Sequence, residues 1–114
     1  MDRLRDSREI AAVLRAGQRR AGRLVVIHAR DQVPAVKRDS EPRVAVVASR
    51  KVGSAVARNR AKRLLREASR RVDWVPGTDL VLVARNACAS STMGAVVDEL
   101  EHLAAELSVS RTAA

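Results

Sequence analysis

The sequence predicts one α+β domain, a two-layer sandwich in which three helices pack on a small β-sheet. The predicted elements follow the order helix, strand, strand, helix, strand, helix, which is typical of this fold class. The chain has 114 residues, of which 46% are hydrophobic, and this is enough for a single compact core. We therefore expect one domain over residues 1–114, with a flexible tail at about residues 108–114.

The N-terminal region predicts a helix over residues 4–16. Ile10 and Leu14 lie four positions apart, so they share one apolar face of this helix. Ser7 is a candidate N-cap, because its hydroxyl can accept a hydrogen bond from a backbone N–H of the first turn. Gly17 is the predicted stop.

Three apolar runs predict the strands. Residues 24–29 and 43–48 are rich in β-branched side chains, and residues 80–84 (LVLVA) form a run typical of a buried strand. The segment at residues 31–42 contains two prolines and charges of both signs. It predicts a solvent-exposed loop between the first two strands.

Two further helices are predicted, and the first of them has two different faces. It covers residues 55–72, with Ser54 as N-cap. Its apolar stripe consists of Ala57, Ala61, Leu64, Leu65, Ala68 and Val72, and the opposite side carries Asn59, Arg63, Arg66 and Arg70, flanked by Arg60 and Lys62. The last helix is opened by Ser91 or Thr92 and has a continuous apolar stripe.

The charge of the chain is concentrated in one segment. The 22 Lys and Arg residues outnumber 13 Asp and Glu, which gives a formal net charge of +9. Residues 49–71 hold nine of these cations against one acidic residue, Glu67. A surface charged only for solubility would mix both signs, so this segment predicts a site for a polyanion, above all a nucleic acid.

The residues that could catalyse a reaction or bind a metal are scattered. Cys88 has no second cysteine to pair with, and His28 and His102 are far apart in the sequence. We interpret Cys88 as a reduced core residue. The carboxylates show no convergence of the kind that a two-metal nuclease needs. We therefore expect no catalytic side chains and no metal bound by the protein.

The chain has no apolar run near the roughly 20 residues that span a bilayer, and its N-terminus lacks a secretory apolar core. We expect a cytoplasmic protein. A peripheral membrane protein is the weaker alternative, because the apolar stripe of the basic helix is rich in alanine and poor in large side chains.

The segment Ser49-Arg50-Lys51-Val52-Gly53-Ser54, followed by the helix with Arg58-Asn59-Arg60 and Lys62-Arg63, closely resembles the motif of the bacterial ribonuclease P protein family. The first helix, the strand ending at His28 and the segment DLVLVAR (residues 79–85) occur in the family's order and spacing. The resemblance implies a sheet of about four strands and a left-handed βαβ crossover through the basic helix. It also implies RNA binding by Arg50, Lys51, Arg58, Asn59, Arg60, Lys62, Arg63 and Arg66.

The resemblance further implies a role in tRNA processing. Family members are the protein subunit of an endonuclease whose RNA cleaves the 5′ leader from precursor tRNA, and they improve substrate binding and metal use. The expected partners are the catalytic RNA and precursor tRNA, with no membrane and no obligate protein partner. Mg²⁺ is then required by the RNA-containing holoenzyme. A ribosomal or other structural RNA-binding protein is the competing hypothesis.

The family's second RNA surface, which binds the leader, is expected to differ in this chain. Family members stack leader bases on aromatic side chains, whereas this chain has no Phe and no Tyr, and Ile10, Leu14 and His28 stand at the equivalent positions. A core role is at least as well supported for Ile10 and Leu14, and the two roles are equally supported for His28. Trp74 is interpreted as a packing residue.

Overall fold

The structure is a computed structural model that describes residues 1–32 and 41–110. Within these ranges it contains five strands and three helices. They are β1 (Asp2–Arg3), α1 (Ser7–Ala16), β2 (Gln18–Ala21), β3 (Val25–Asp31), β4 (Arg43–Val47), α2 (Ala55–Ser69), β5 (Thr78–Ala84) and α3 (Met93–Glu106). Short 3₁₀ turns at Arg50–Val52 and Asn86–Cys88 follow β4 and β5.

The strands form one mixed sheet in the order β1-β4-β5-β3-β2. β4 runs parallel to β5, with Val44 opposite Leu80, whereas β3 is antiparallel to both β5 and β2. α2 connects the parallel neighbours β4 and β5, so the βαβ crossover is present, and its hand stays a prediction. The α+β class is confirmed. The sheet is one strand larger than expected.

The sheet buries both of its faces, because strand side chains alternate between them. Ile27, Val44, Leu80 and Leu82 face α2 and α3 and form the main core. On the other face, α1 covers a smaller apolar cluster made by Leu4, Val13, Ala45 and Val81. The helices therefore lie in separate layers, with α1 alone on its face.

The start of α1 differs from the prediction. The helix begins at Ser7, and the cap is Asp6, whose carboxylate accepts a hydrogen bond from Arg8 N at 2.8 Å. Leu4 is not helical, and its side chain is buried in the apolar cluster that α1 covers. Gly17 ends the helix as predicted, and a Cβ there would lie 2.5 Å from Val13 O.

The caps of the other helices agree with the sequence. Ser54 Oγ accepts a hydrogen bond from Ala57 N at 3.2 Å, and Thr92 caps α3 in the same way. α2 ends at Ser69, three residues earlier than predicted. The Trp74 indole donates a hydrogen bond to Ser69 O at 2.9 Å and is buried, so the packing role predicted for Trp74 is confirmed.

The end of the described chain packs against the domain. Val109 is buried, its carbonyl accepts a hydrogen bond from Val75 N at 2.8 Å, and Ser110 pairs with Trp74. The chain is therefore held as far as Ser110, whereas the tail was expected from residue 108. Residues 111–114 of that tail, and residues 33–40 of the predicted loop, lie outside the described residues. Asp31, at the start of that loop prediction, belongs to β3.

Candidate nucleic-acid interface

α2 separates a packed side from a charged side. Ala61, Leu65 and Ala68 are buried against the sheet and α3. The outward surface carries the exposed side chains of Val56, Asn59, Arg60, Arg63, Glu67 and Arg70, and Val56 is 78% exposed. We call this surface the α2 face. The two faces predicted from helical spacing are therefore present.

The turn before α2 fixes where the helix begins. Val52 is buried and anchors the 3₁₀ turn, while its neighbours Arg50 and Lys51 are exposed. Gly53 follows with a φ of +134°, a conformation that favours glycine. The Ser54 cap then starts the helix. Two exposed cations therefore stand beside the helix N-terminus, where backbone N–H groups favour anions.

Three of the eight residues predicted to bind RNA line one groove. Arg60, Arg63 and Arg66 lie along a cavity of about 430 Å³ between α2 and the start of α3. Arg60 is held in place, because its Nε donates a hydrogen bond to Ala89 O. Arg70 lies on the same groove and pairs with Glu67 at 3.1 Å.

The other predicted residues are more dispersed. Asn59 is exposed on the α2 face, whereas Arg58 and Lys62 are half-buried on its flanks. The guanidinium of Arg58 donates a hydrogen bond to Gly53 O at 3.4 Å. Arg50 and Lys51 lie at the other end of the helix from Arg66, so the eight residues form a long strip.

The structure adds cations that sequence reasoning missed. Lys51 lines a cavity of about 410 Å³ with Arg23, Arg85 and Asn86. Arg85 donates a hydrogen bond to Gly22 O at 3.0 Å, which holds it across the β2–β3 turn. These residues come from three distant segments, and only the strand register brings them together. Clustering of basic residues along the sequence could not reveal them.

The residues predicted to contact a leader lie on the α1 side of the sheet. Ile10 is half-buried and packs on the cluster beneath α1, whereas Leu14 is 39% exposed. Alternation along β3 directs His28 to the same face of the sheet as α1. Ile10 thus has a packing role, and Leu14 is the more accessible of the two.

His28 is half-buried, and its Nδ1 is buried without a hydrogen-bond partner among the described residues. Burial lowers the pKa of His28, and the positive charge of Arg19 on the adjacent strand lowers it further. The imidazole is therefore neutral at pH 7. A neutral ring can stack on a base but adds no charge for a phosphate.

Within residues 1–32 and 41–110, no three His, Cys, Asp or Glu side chains come close enough together to hold a metal ion. Cys88 is buried, as predicted, and burial raises the pKa of its thiol to about 11. None of the described helices has the length and apolar character needed to cross a membrane.

The family model described as Ribonuclease P matches residues 1–108 of the chain. The chain belongs to the ribonuclease P protein family. It is therefore the protein component of an endoribonuclease that matures the 5′ end of tRNA. The motif at residues 49–68, together with the first helix and the strands around it, predicted this family over nearly the whole chain, and the match confirms the prediction.

Relatives in the ribonuclease P protein family cover most of the chain. The ribonuclease P protein component of Exiguobacterium sibiricum is 33% identical over 105 residues, which make up 89% of this chain and 85% of the relative. That of Brucella suis is 36% identical over 105 residues, covering 86% of this chain and 74% of the relative.

Solved structures of ribonuclease P proteins share the fold. The Staphylococcus aureus protein superposes with a TM-score of 0.78 at 22% identity, covering 96% of this chain and 97% of that one. The Thermotoga maritima protein superposes with a TM-score of 0.72 at 25% identity, covering 90% and 94%.

Proposed function

We propose that the α2 face and the turn before it dock on the catalytic RNA of ribonuclease P. The observation that carries this proposal is the division of α2, whose alanine and leucine side is buried while Asn59, Arg60 and Arg63 are exposed together. The only acidic residue of this face, Glu67, is already paired with Arg70. The remaining cations are therefore available to an RNA.

Arginine suits this contact chemically. Its planar guanidinium donates two parallel hydrogen bonds to phosphate oxygens and keeps its charge at any physiological pH. Neutralised phosphates also release their condensed counterions, which favours binding at low salt. Protein cations at the RNA surface thereby reduce the repulsion between RNA segments that Mg²⁺ must otherwise offset. This supports a role in metal use without a protein-bound metal.

We further propose that the α1 side of the sheet follows the leader of precursor tRNA, through Leu14 and His28, with Ile10 half-buried on the same side of the sheet. Stacking on aromatic side chains contributes about 1–3 kcal/mol per base in other RNA-binding proteins. This chain has only one imidazole to offer there, so its leader contact is weaker than one built on Phe or Tyr. The RNA performs the cleavage with Mg²⁺, and the complex acts in the bacterial cytoplasm.

The test is cleavage of a leader-bearing precursor tRNA by a bacterial ribonuclease P RNA at limiting Mg²⁺, with and without the protein. We expect strong stimulation and the correct mature 5′ end. Tight RNA binding without stimulation would contradict the proposal and favour a structural RNA-binding protein.

A further inference from the structure

The rotation of α1 about its own axis decides which of its side chains reach solvent. Glu9 and Val13 lie one helical turn apart and both face the sheet, since Val13 is buried in the cluster that α1 covers and Glu9 pairs with a side chain of β4. Ile10 and Ala12 lie on opposite flanks of this line, and each is half-buried. Leu14 lies on the same flank as Ile10, farther from the sheet, and is 39% exposed.

Apolar packing alone favours a different rotation of this helix. Of the ten residues of α1, all of which the structure describes, only Val13 is buried. A rotation of α1 toward the flank of Ile10 would bury more of Leu14 and would expose Ala12 in exchange. This exchange removes more apolar surface from water, because leucine is larger than alanine. The observed rotation therefore needs a contact that is not apolar.

The chain on either side of α1 fixes the ends of the helix. Before the helix, Leu4 N donates a hydrogen bond to Val44 O at 3.0 Å. After it, Gly17 lies so near the sheet that a Cβ there would be 2.8 Å from Ala29 O. Both are backbone contacts outside the helix. They set where α1 starts and ends along the sheet and leave its rotation to the side chains.

Arg43 supplies a directional contact between the sheet and α1. Its Nε and Nη2 donate hydrogen bonds to the two carboxylate oxygens of Asp79, each at 2.8 Å, and the Asp79 side chain is only 2% exposed. This two-point contact fixes the plane of the guanidinium. Nη2 also donates a hydrogen bond to Glu9 Oε2 at 2.5 Å. The position of the Glu9 carboxylate relative to the sheet is therefore set by a donor that is itself held in place.

We infer that Glu9 is a positioning residue, whose ion pair with Arg43 fixes the rotation of α1 and thereby keeps Leu14 exposed. That the exposed Leu14 serves the leader rests on the proposed function, whereas the rotation itself does not. Glu9 acts through Leu14, because its own negative charge would repel RNA phosphates. By charge alone, removal of Glu9 would strengthen RNA binding, and by loss of position it would weaken leader binding. The two roles thus predict effects of opposite sign.

Thiol labelling of the RNA-free protein tests the rotation. Ala12→Cys places a reporter on the flank that a rotation would expose, and Ala11→Cys, at a position exposed in either rotation, is the matched control. Each is labelled with a small maleimide, with Glu9 present and with Glu9→Ala. Cys88 is buried, with its pKa raised to about 11, and reports any unfolding of the domain.

We expect Glu9→Ala to speed labelling at position 12 about fivefold or more, because the rate follows the population of the rotated state. Labelling at position 11 and at Cys88 should stay unchanged. An unchanged rate at position 12 would overturn the inference. Faster labelling of all three thiols would also overturn it, since the loss of Glu9 would then unfold the domain instead of rotating α1.

RNA binding by the complex with the catalytic RNA tests the consequence for the leader. We expect Glu9→Ala to weaken affinity for leader-bearing precursor tRNA about threefold and to leave affinity for mature tRNA unchanged. Glu101→Ala removes an exposed carboxylate from α3 and is the control for charge. Unchanged or stronger leader binding by Glu9→Ala would show that the rotation does not serve the leader, and the inferred role of Glu9 would be wrong.

The inference and the proposed function fail separately. If the complex with the wild-type protein binds leader-bearing and mature tRNA equally well, the proposed leader surface is wrong. The labelling rate at position 12 then still decides whether Glu9 fixes the rotation of α1. If the wild-type protein favours the leader but Glu9→Ala changes neither the labelling nor the leader affinity, only the inference about Glu9 is wrong.

Discussion

Arg63 lies in the middle of the α2 face, exposed and directed away from the core. It lines the groove between α2 and α3, and among the described residues its side chain forms no hydrogen bond or ion pair. Its neighbour Arg60 also contacts the backbone of Ala89, so replacing Arg60 would disturb local structure as well as charge. Arg63 is thus the cleaner probe of RNA docking.

We predict that Arg63→Ala weakens binding to the catalytic RNA about three- to tenfold and reduces the salt slope by about one. The measurement is the dissociation constant at four salt concentrations. Arg15→Ala removes an exposed cation from α1 and serves as the control. An unchanged slope for Arg63→Ala would remove this residue from the interface.

His28 supports a prediction on the other side of the sheet. Because its imidazole is neutral at pH 7, its expected contribution is contact with a leader base. We predict that His28→Ala weakens affinity for leader-bearing precursor tRNA about threefold and leaves affinity for mature tRNA unchanged. Equal losses for both RNAs would show that His28 acts only through the fold.

α1 is attached to the sheet by an ion-pair network as well as by apolar contacts. Arg43 of β4 donates two hydrogen bonds to the Asp79 carboxylate, each at 2.8 Å, and its Nη2 also contacts Glu9 of α1. Asp79 is only 1% exposed. The hydrogen bonds to Asp79 contribute most to raising the pKa of Arg43 above its ordinary value.

We predict that Asp79→Ala lowers the free energy of unfolding by about 3 kcal/mol, since it leaves the Arg43 charge half-buried with Glu9 as its remaining partner. Glu67→Gln is the control, because the exposed pair with Arg70 contributes less than about 0.5 kcal/mol. Urea unfolding measures both variants. Equal stabilities would mean that the network does not stabilise the packing of α1.

The β2–β3 turn is held by one side chain of α3. The Glu99 carboxylate accepts hydrogen bonds from the backbone N–H groups of Arg23, Leu24 and Val25, at 2.9, 2.7 and 2.8 Å. A Cβ on Gly22 would lie 2.5 Å from the carboxyl carbon of Glu99. The turn therefore fits closely around the carboxylate.

We predict that Glu99→Gln destabilises the domain by about 2 kcal/mol. The Gln amide lacks the negative charge that strengthens these hydrogen bonds, and its NH₂ group is a donor placed against the backbone N–H donors of the turn. Glu101→Gln, on the exposed side of the same helix, is the control. Urea unfolding with hydrogen exchange at Val25 and Leu24 measures the effect. Unchanged exchange there would contradict the assigned role.

Elements with a strong apolar pattern were predictable, and short polar ones were not. Apolar runs with β-branched residues predicted β3, β4 and β5. Ser54 and Thr92 were among the caps predicted from their positions just before the helices. β1 is two residues long, and β2 reads QRRA with every side chain exposed, so neither has an apolar signal. Both form because they can pair with the free edge of another strand: β1 pairs with β4, and β2 pairs with β3.

The candidate site divides in the same way. The α2 face could be predicted because the whole strip lies on one continuous stretch of sequence. Sequence could not predict that Arg23 and Arg85 lie near Lys51, or that Arg3 lies near Arg66. Strand pairing and helix packing bring these residues together from distant segments.

At the scale of the whole molecule, the two proposed RNA surfaces lie on opposite layers of the sheet. The α2 face lies on the side of the sheet that α2 and α3 cover, whereas Leu14 and His28 lie on the side that α1 covers. One surface is proposed to dock the catalytic RNA and the other to contact the substrate. We therefore expect added Mg²⁺ to restore cleavage differently for variants of the two surfaces.

We predict that Arg60→Ala/Arg63→Ala loses most of its stimulation of precursor-tRNA cleavage at limiting Mg²⁺ and regains it as Mg²⁺ is raised, because Mg²⁺ can replace lost cations at an RNA–RNA contact. For His28→Ala we expect a defect that Mg²⁺ does not restore. Parallel Mg²⁺ titrations measure both variants, and identical curves would contradict the division of roles.

The position of α2 within the chain has a consequence for folding. This helix is the connection between two adjacent parallel strands, so the pairing of β4 with β5 requires closure of the whole intervening segment. A ligand that binds only the folded helix shifts the equilibrium of the entire domain by mass action. We expect the catalytic RNA to act on this small protein as a folding ligand, which protects the central strands from opening even though it never touches them.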